Sequence, residues 1–305
     1  MCVLVDFSPV CYGAIFQCVD SYGNLRESEY EQEDDKLSPK LIRHILLTNI
    51  LYYKRQFSAN FGDFVFCVDS RNPWRQKLFQ YYKHNRKTTR DKNPELSKFI
   101  YDVIDHFAVE LRECLGYKVL KVDGAEADDI IAVLCKKFVE EQEQVLILSS
   151  DKDFLQLQKY DGVFQYVLNG KNKGFLEMKK PKRFLYEHII QGDRSDGIPN
   201  VLSDIKCFKK KVKQTSVMKK KLAVWLGKKT HEIEEWDESV IKRFNQNRKL
   251  IDFDHIPKKI QDKIHTGYEK ACVFPVAASA RERMKLSDYL SDNGLRTLLG
   301  RMSEF

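Results

Sequence analysis

The side chains best suited to chemistry lie between Glu126 and Asp153. This stretch reads Glu-Ala-Asp-Asp at 126–129, then Ile130, Ile131, Val133, Leu134 and Phe138 at helical spacing, then Val-Leu-Ile-Leu at 145–148 and Ser-Ser-Asp-Lys-Asp at 149–153. Glu126, Asp128 and Asp129 therefore fall in the first turn of a helix, and Asp151 and Asp153 follow an apolar strand. One or two acids in a first turn complement the helix dipole and cap its free N–H groups. Five carboxylates around one helix–strand unit exceed that need, because neighbouring carboxylates raise one another's pKa unless a cation lies among them. An oxygen-only ligand set points to magnesium, manganese or calcium rather than zinc.

The elements that must position these acids follow the same pattern. Residues 3–5 form an apolar run that stops at Asp6, and residues 64–68 form one that stops at Asp69. Such runs read as buried strands of a parallel sheet, with weaker candidates at 118–122 and 163–167. Alternation with helical segments predicts an α/β fold with a mostly parallel central sheet flanked by helices, in which the strand ends share one acidic rim. Ser38 and Pro39 start a helix whose buried face is Leu41, Ile42, Ile45, Leu46, Ile50 and Leu51. The acidic stretch at 27–35 reads as a solvated loop without chemistry. Asp193 and Asp196 add two acids in the glycine-bearing loop at 192–200, which alone is an ordinary turn.

Between 73 and 90, Trp74, Phe79, Tyr81 and Tyr82 mix with Arg75, Lys77, Lys83, Arg86, Lys87 and Arg90. Lys83, Arg86 and Arg90 are spaced for one helical face, and a basic face beside aromatics suits phosphates and unstacked bases. Trp74 and Phe79 read as inward-packing, and 88–94 as a mobile polar stretch.

At 305 residues, 43% hydrophobic and 31% charged, the chain has the make-up of a soluble globular protein with one large domain or two. Its eight cysteines (2, 11, 18, 67, 114, 135, 207 and 272) form no framework and read as reduced, mostly buried hydrophobes of a cytoplasm-like compartment. No apolar run reaches membrane-span length and no basic-then-apolar leader opens the chain, so no membrane partner is expected. Net charge is +8, yet residues 206–229 hold ten lysines and no acid, leaving the remainder at −2. A basic tract apart from an acidic cleft suits a polyanion held by one region and worked on by another. There is no repeat, phosphate-binding glycine loop or nucleophile motif.

Six ordered segments resemble the motif series of the 5′-nuclease or flap endonuclease superfamily. They are Val-Asp-Phe-Ser at 5–8, Cys-Val-Asp-Ser at 67–70, Tyr-Lys-His-Asn-Arg at 82–86, Glu-Ala-Asp-Asp at 126–129, Ser-Asp-Lys-Asp at 150–153 and Gly-Asp-Arg-Ser-Asp at 192–196. The likeness is strongest to the phage ribonuclease H branch and continues through Ile-Asp-Phe-Asp-His-Ile-Pro at 251–257 to the final Ser-Glu-Phe. It implies a PIN-like 5′-nuclease core over 1–200, with a helical gateway near 73–100, and a smaller helical, lysine-rich DNA-binding region over 201–305. The implied enzyme is a monomeric 5′→3′ exonuclease acting on RNA–DNA hybrids and duplex DNA, with flap endonuclease activity on branched DNA. Its implied task is removal of lagging-strand primers during phage replication, in the cytoplasm of the infected host cell.

By the same resemblance, Asp6, Asp69, Glu126 and Asp128 line one magnesium site and Asp151, Asp153, Asp193 and Asp196 a second, with manganese as a substitute. Two such ions, roughly 3.5–4 Å apart, would clamp the attacking and leaving oxygens of a phosphodiester. Asp69 and Asp128 would hold the ion nearer the nucleophile, with Asp6 and Glu126 acting partly through water. The implied catalytic group is Lys83, which polarises the scissile phosphate, with Asp128, Asp151 and Asp153. The implied DNA contacts are Tyr82, Lys83, Arg86, Lys87, Arg90, Lys209, Lys210, Lys211 and Lys213. After Pro199 the chain departs from the family: residues 201–206 lack the glycines of its helical hairpin, and Gly197 and Asn200 replace more usual residues. The family's monovalent-cation (potassium) site is thus left without its glycines, and duplex contact falls to the lysines that follow. Single-strand binding protein and sliding clamp are implied partners for the tail at 302–305. Two rival readings are a PIN-like RNA-processing nuclease preferring single-stranded RNA, and a catalytically silent nucleic-acid-binding accessory protein, whose acidic set should be incomplete.

Overall fold

In the computed structural model the described residues are 1–18, 39–84, 86, 93–168, 170–171, 173–229, 232–273 and 280–305. Its strands are β1 (Cys2–Asp6), β2 (Asp63–Val68), β3 (Lys118–Lys121), β4 (Val145–Leu148), β5 (Val163–Val167) and β6 (Gly174–Leu176). Its helices are α1 (Phe7–Gln17), α2 (Pro39–Phe61), α3 (Trp74–Leu78), α4 (Pro94–Glu113), α5 (Ala127–Glu140), α6 (Pro181–Gln191), α7 (Lys219–Trp225), α8 (Glu238–Ile251), α9 (Lys258–Val273), α10 (Ala280–Asp292) and α11 (Arg296–Leu299).

The strands form one sheet in the order β3-β2-β1-β4-β5-β6, with β6 antiparallel to β5 and all other pairs parallel. Register aligns Val5 with both Phe66 and Leu148, so β1, β2 and β4 end level with one another. These are the three strands that run into aspartates. Strand order reverses between β1 and β4, and ligands of open parallel sheets gather outside the carboxyl ends at such a switch point.

Side chains alternate across the sheet as a period of two requires. Val3, Val5, Phe64, Phe66, Leu146 and Leu148 face a core shared with α1, α2, α4 and α10. Cys2, Leu4, Val65, Cys67, Val145 and Ile147 face a second core under α5 and α9. A third cluster joins α6, α7 and α8 to Phe79 and Tyr82. The C-terminal third feeds all three: Trp236 and Phe244 the third, Ile260 and Ile264 the second, Leu290 and Phe305 the first. Phe305 is buried, its carbonyl accepts from Lys54, and Glu304 pairs with Arg55, so the tail engages α2 of its own chain.

Several local expectations differ from what forms. β6 carried no sequence signal, being three residues long. Leu41, expected on the buried face of α2, is exposed, while Leu47 is buried in its place. Lys83 does not lie on a helical face with Arg86: α3 ends at Leu78, residues 80–83 turn, and Lys83 has a left-handed φ of 55°. The acidic stretch at 27–35, Ser38, Lys87, Arg90 and most of 88–94 lie outside the described residues. All eight cysteines are free, with Cys272 exposed and Cys114 half-buried. No described helix is long and apolar enough to cross a membrane.

Candidate active site

Asp6 is the last residue of β1, and Asp69 follows β2 directly. Glu126 caps α5, which places Asp128 and Asp129 in its first turn. Asp151 caps the 3-10 segment Lys152–Lys159 after β4, its Oδ1 accepting from the Asp153 amide at 2.9 Å. Asp193 and Asp196 lie in the turn after α6. That turn needs glycine at 192, where φ is +68° and a Cβ would lie 2.4 Å from the Ile198 carbonyl oxygen.

A polar framework sets the orientation of these acids. Ser149 Oγ donates to Asp6 at 2.8 Å and accepts from the Asp151 amide at 3.1 Å. Gln165 Nε2 donates to the carbonyls of Ser149 (3.0 Å) and Asp151 (2.6 Å), holding the loop from beneath. Asp69 accepts from Ser8 Oγ and the Ala127 amide, each at 2.9 Å, which ties β2 to α1 and α5. The Lys83 amide donates to the Asp196 carbonyl at 2.7 Å, so the left-handed turn at Lys83 is held by the loop it serves.

The acids divide by how their charge is met. Asp129 is fully buried, accepting from Arg75, Trp74 and the Glu126 amide. Burial would raise Glu126, but Lys83 and Arg75 hold it below the usual carboxylate range. Its donors are Lys83 Nζ at 2.5 Å, Tyr82 Oη at 2.9 Å and Arg75 Nη1 at 3.0 Å. Asp196 meets Arg86 Nη2 at 2.6 Å and Tyr82 Oη at 2.9 Å, with Lys83 Nζ 3.8 Å away. Burial disfavours the Lys83 ammonium, but Asp196 and Glu126 outweigh it and the group stays charged.

The other group lacks such donors. Burial, then Asp69 and Asp151, push Asp6 up to about 8. Burial, then Asp151 and Asp6, hold Asp128 well above its ordinary value, and it accepts no hydrogen bond among the described residues. Burial and Asp151 push Asp153 up to about 7, with His188 pulling the other way. Carboxylates stacked this way, with no lysine or arginine in contact among the described residues, fit a doubly charged cation and oxygen ligation.

His188, in the last turn of α6, was not singled out by the sequence. One ring nitrogen lies 3.3 Å from Asp153 Oδ1 and the other 3.7 Å from Asp193 Oδ2. Burial works against the charged ring, but the two aspartates outweigh it and raise its pKa. Asp193 is held well below the usual range despite burial, by His188 and by Ser195, whose amide and hydroxyl each donate at 2.7 Å. The signal for His188 was positional: a histidine in the final turn of a helix that runs into Gly192 and Asp193. Arg75, one basic residue among several in the sequence, is 3% exposed and also donates to the Leu250 carbonyl at 2.8 Å.

Tyr82, expected among the DNA contacts, is 5% exposed with its hydroxyl between Glu126 and Asp196. Its hydroxyl is thus taken up by the acids rather than presented at the surface. Arg86 reaches solvent beside the cleft. Lys209, Lys210, Lys211 and Lys213 are exposed in an irregular segment before α7, and Lys209 Nζ lies 5.4 Å from the Tyr81 ring centroid, next to the Lys83 turn.

Residues 4–186 match the family model described as 5′-3′ exonuclease, N-terminal resolvase-like domain. Residues 182–305 match the model for the C-terminal region of T4 RNase H. The chain is 29% identical over 281 residues to the ribonuclease H of Enterobacteria phage T4, covering 90% of this chain and 89% of that one. It is 34% identical over 140 residues to a 5′-3′ exonuclease of Buchnera aphidicola, 43% of this chain and 45% of that. Among solved structures, the T5 5′-exonuclease with bound zinc superposes with a TM-score of 0.59 at 14% identity, covering 90% of this chain and 98% of that one. A bacteriophage T5 flap endonuclease in a pseudo-enzyme–product complex with DNA and metal ions gives 0.57 at 14% identity with the same coverage. These two share the fold.

Proposed function

The chain belongs to the 5′-3′ exonuclease family of nucleases and is a homologue of phage T4 ribonuclease H along most of its length, and from this we propose a magnesium-dependent 5′→3′ exonuclease. Its substrates are RNA–DNA hybrids and duplex DNA, with flap endonuclease activity on branched DNA. Its task is removal of lagging-strand primers during phage replication, as a monomer in the host cytoplasm, with single-strand binding protein and sliding clamp as partners. The observation that carries the reading is the group of acids at the ends of β1, β2 and β4 that, among the described residues, form no ion pair with a lysine or arginine. The DNA and metal ions held by the bacteriophage T5 flap endonuclease support the same use of this rim.

Direct ligation falls to Asp6, Asp69 and Asp128 at one position, and to Asp151, Asp153 and Asp193 at the other. Glu126 and Asp196, already supplied with donors, act at longer range and keep Lys83 and Arg86 in place. Ions held by these residues would neutralise the phosphodiester and lower the pKa of a bound water, the chemistry needed for water to replace the leaving oxygen at phosphorus. Lys83 Nζ, charged and desolvated, donates to a non-bridging oxygen as negative charge builds there. Ser149 and Gln165 fix the loop, so Asp151 and Asp153 need no reordering when substrate arrives. Arg86 and the lysines at 206–213 hold the phosphate backbone, which gives binding a steep dependence on salt.

A time course with a 5′-labelled RNA–DNA hybrid and a labelled DNA flap, with and without magnesium, tests this. Short products from the 5′ end of each, only with magnesium, are expected. Cutting of single-stranded RNA regardless of 5′ ends would favour the RNA-processing alternative, and binding without cutting the silent accessory protein.

A further inference from the structure

We propose that His188 is a nitrogen donor at the second ion position, so that Asp153, His188 and Asp193 take a late transition-metal dication such as Co2+ or Zn2+ in preference to Mg2+. The inference rests on the metal-dependent reading above and adds a residue which that reading does not use. Ligand atoms from these three side chains, one apiece, lie within 4.8 Å of one another. Donors on a tetrahedral ion at about 2.0–2.1 Å sit roughly 3.3–3.5 Å apart. The 3.3 Å approach of His188 Nδ1 to Asp153 Oδ1 already has that spacing, and the other ring nitrogen lies 3.7 Å from Asp193 Oδ2.

The three side chains come from separate elements that packing holds in place. His188 stands on α6, its ring edge-on to Phe184 at 5.9 Å between centroids. Asp153 is in the first turn of the 3-10 segment capped by Asp151. Asp193 follows the constrained Gly192 and is clamped by Ser195. Only one ring nitrogen need reach the ion. The other would be left to fix ring orientation and tautomer through a hydrogen bond, as the outer nitrogen of a metal-bound histidine commonly does. Carboxylates alone favour magnesium, whereas an imidazole shifts preference towards later first-row metals. The competing account makes His188 a hydrogen-bond bridge that merely orients two aspartates.

The two accounts part on which ions lose affinity. Wild type, His188→Ala and His188→Gln are titrated with Co2+, read by its visible absorption, and with Mg2+, read by calorimetry, after circular dichroism confirms folding. The glutamine variant keeps polar bulk should the alanine variant unfold. Co2+ affinity is expected to fall on the order of tenfold or more in the variants, while Mg2+ affinity stays within about twofold. Equal losses for both ions, or none for Co2+, would overturn the proposal and leave the metal-dependent reading standing. A wild-type chain that binds neither ion would overturn both.

Discussion

Asp128 and Arg75 show opposite ways of burying charge. Asp128 is held above its ordinary pKa by burial, Asp151 and Asp6, with no donor to offset them among the described residues. Asp128→Asn should therefore abolish magnesium-dependent cleavage, with DNA binding kept within a few-fold, and should raise the melting temperature of the metal-free protein. Asp153→Asn should behave alike. Cleavage assays at limiting magnesium beside thermal melts in EDTA check both halves, and full activity in either variant would sink the assignment. Gain of stability on removing a functional charge is the usual trade at such sites. Arg75 is the reverse case. Its guanidinium meets Glu126 and Asp129, both buried; Glu126 keeps Lys83, but Arg75→Ala takes the paired cation from fully buried Asp129 and should cost about 3–5 kcal/mol. Urea unfolding measures this, and a change under about 1 kcal/mol would mean that water replaces the guanidinium.

The turn at Gly192 and the lysine tract before α7 each test one element. Gly192→Ala puts a Cβ against the main chain of Ile198 and Pro199 at a left-handed φ, whereas Gly170, at φ +87°, has open space around it. Gly192→Ala should destabilise by more than about 2 kcal/mol and weaken divalent-ion binding, while Gly170→Ala costs only backbone strain of about 1 kcal/mol. Denaturant titration of the pair separates clash from strain. Joint replacement of Lys209, Lys210 and Lys211 by glutamine should reduce the slope of log K against log salt by about 0.9 for each phosphate that the variant no longer neutralises. An unchanged slope would remove this tract from the path of the duplex. The left-handed turn at Lys83 was not legible in the sequence, because periodicity and caps report only local neighbours. It exists because the Asp196 carbonyl, over a hundred residues away, takes its amide.

Across the whole molecule, metal binding, pH and stability are linked through the acidic rim. Asp6 is raised to about 8 and Asp153 to about 7, both above the ordinary value of 3.8. Between those limits the folded, metal-free chain binds more protons than the unfolded chain. The stability these groups contribute is therefore present in acid and lost as pH rises through about 7 to 8. Asp193 and Glu126, held low, act in the opposite sense, their contribution being lost in acid below the usual carboxylate range. The melting temperature in EDTA should fall as pH rises from about 6 to 8.5, and added magnesium should restore more of it at the alkaline end. A metal-free melting temperature that climbs over that interval would contradict the charge distribution described here.

The sequence by itself determined the parallel sheet, the aspartates at three strand ends, and the acidic first turn of α5. Each of these depends on periods of two or 3.6 residues and on neighbours within one turn. Tertiary structure alone decided which of those acids are neutralised and which are left to a cation. That division depends on partners such as Arg75 for Glu126, Ser149 for Asp6 and His188 for Asp153, separated along the chain and brought together only by the crossovers of the sheet. A side chain's charge is written locally, whereas the field it sits in is the sum over everything folded around it.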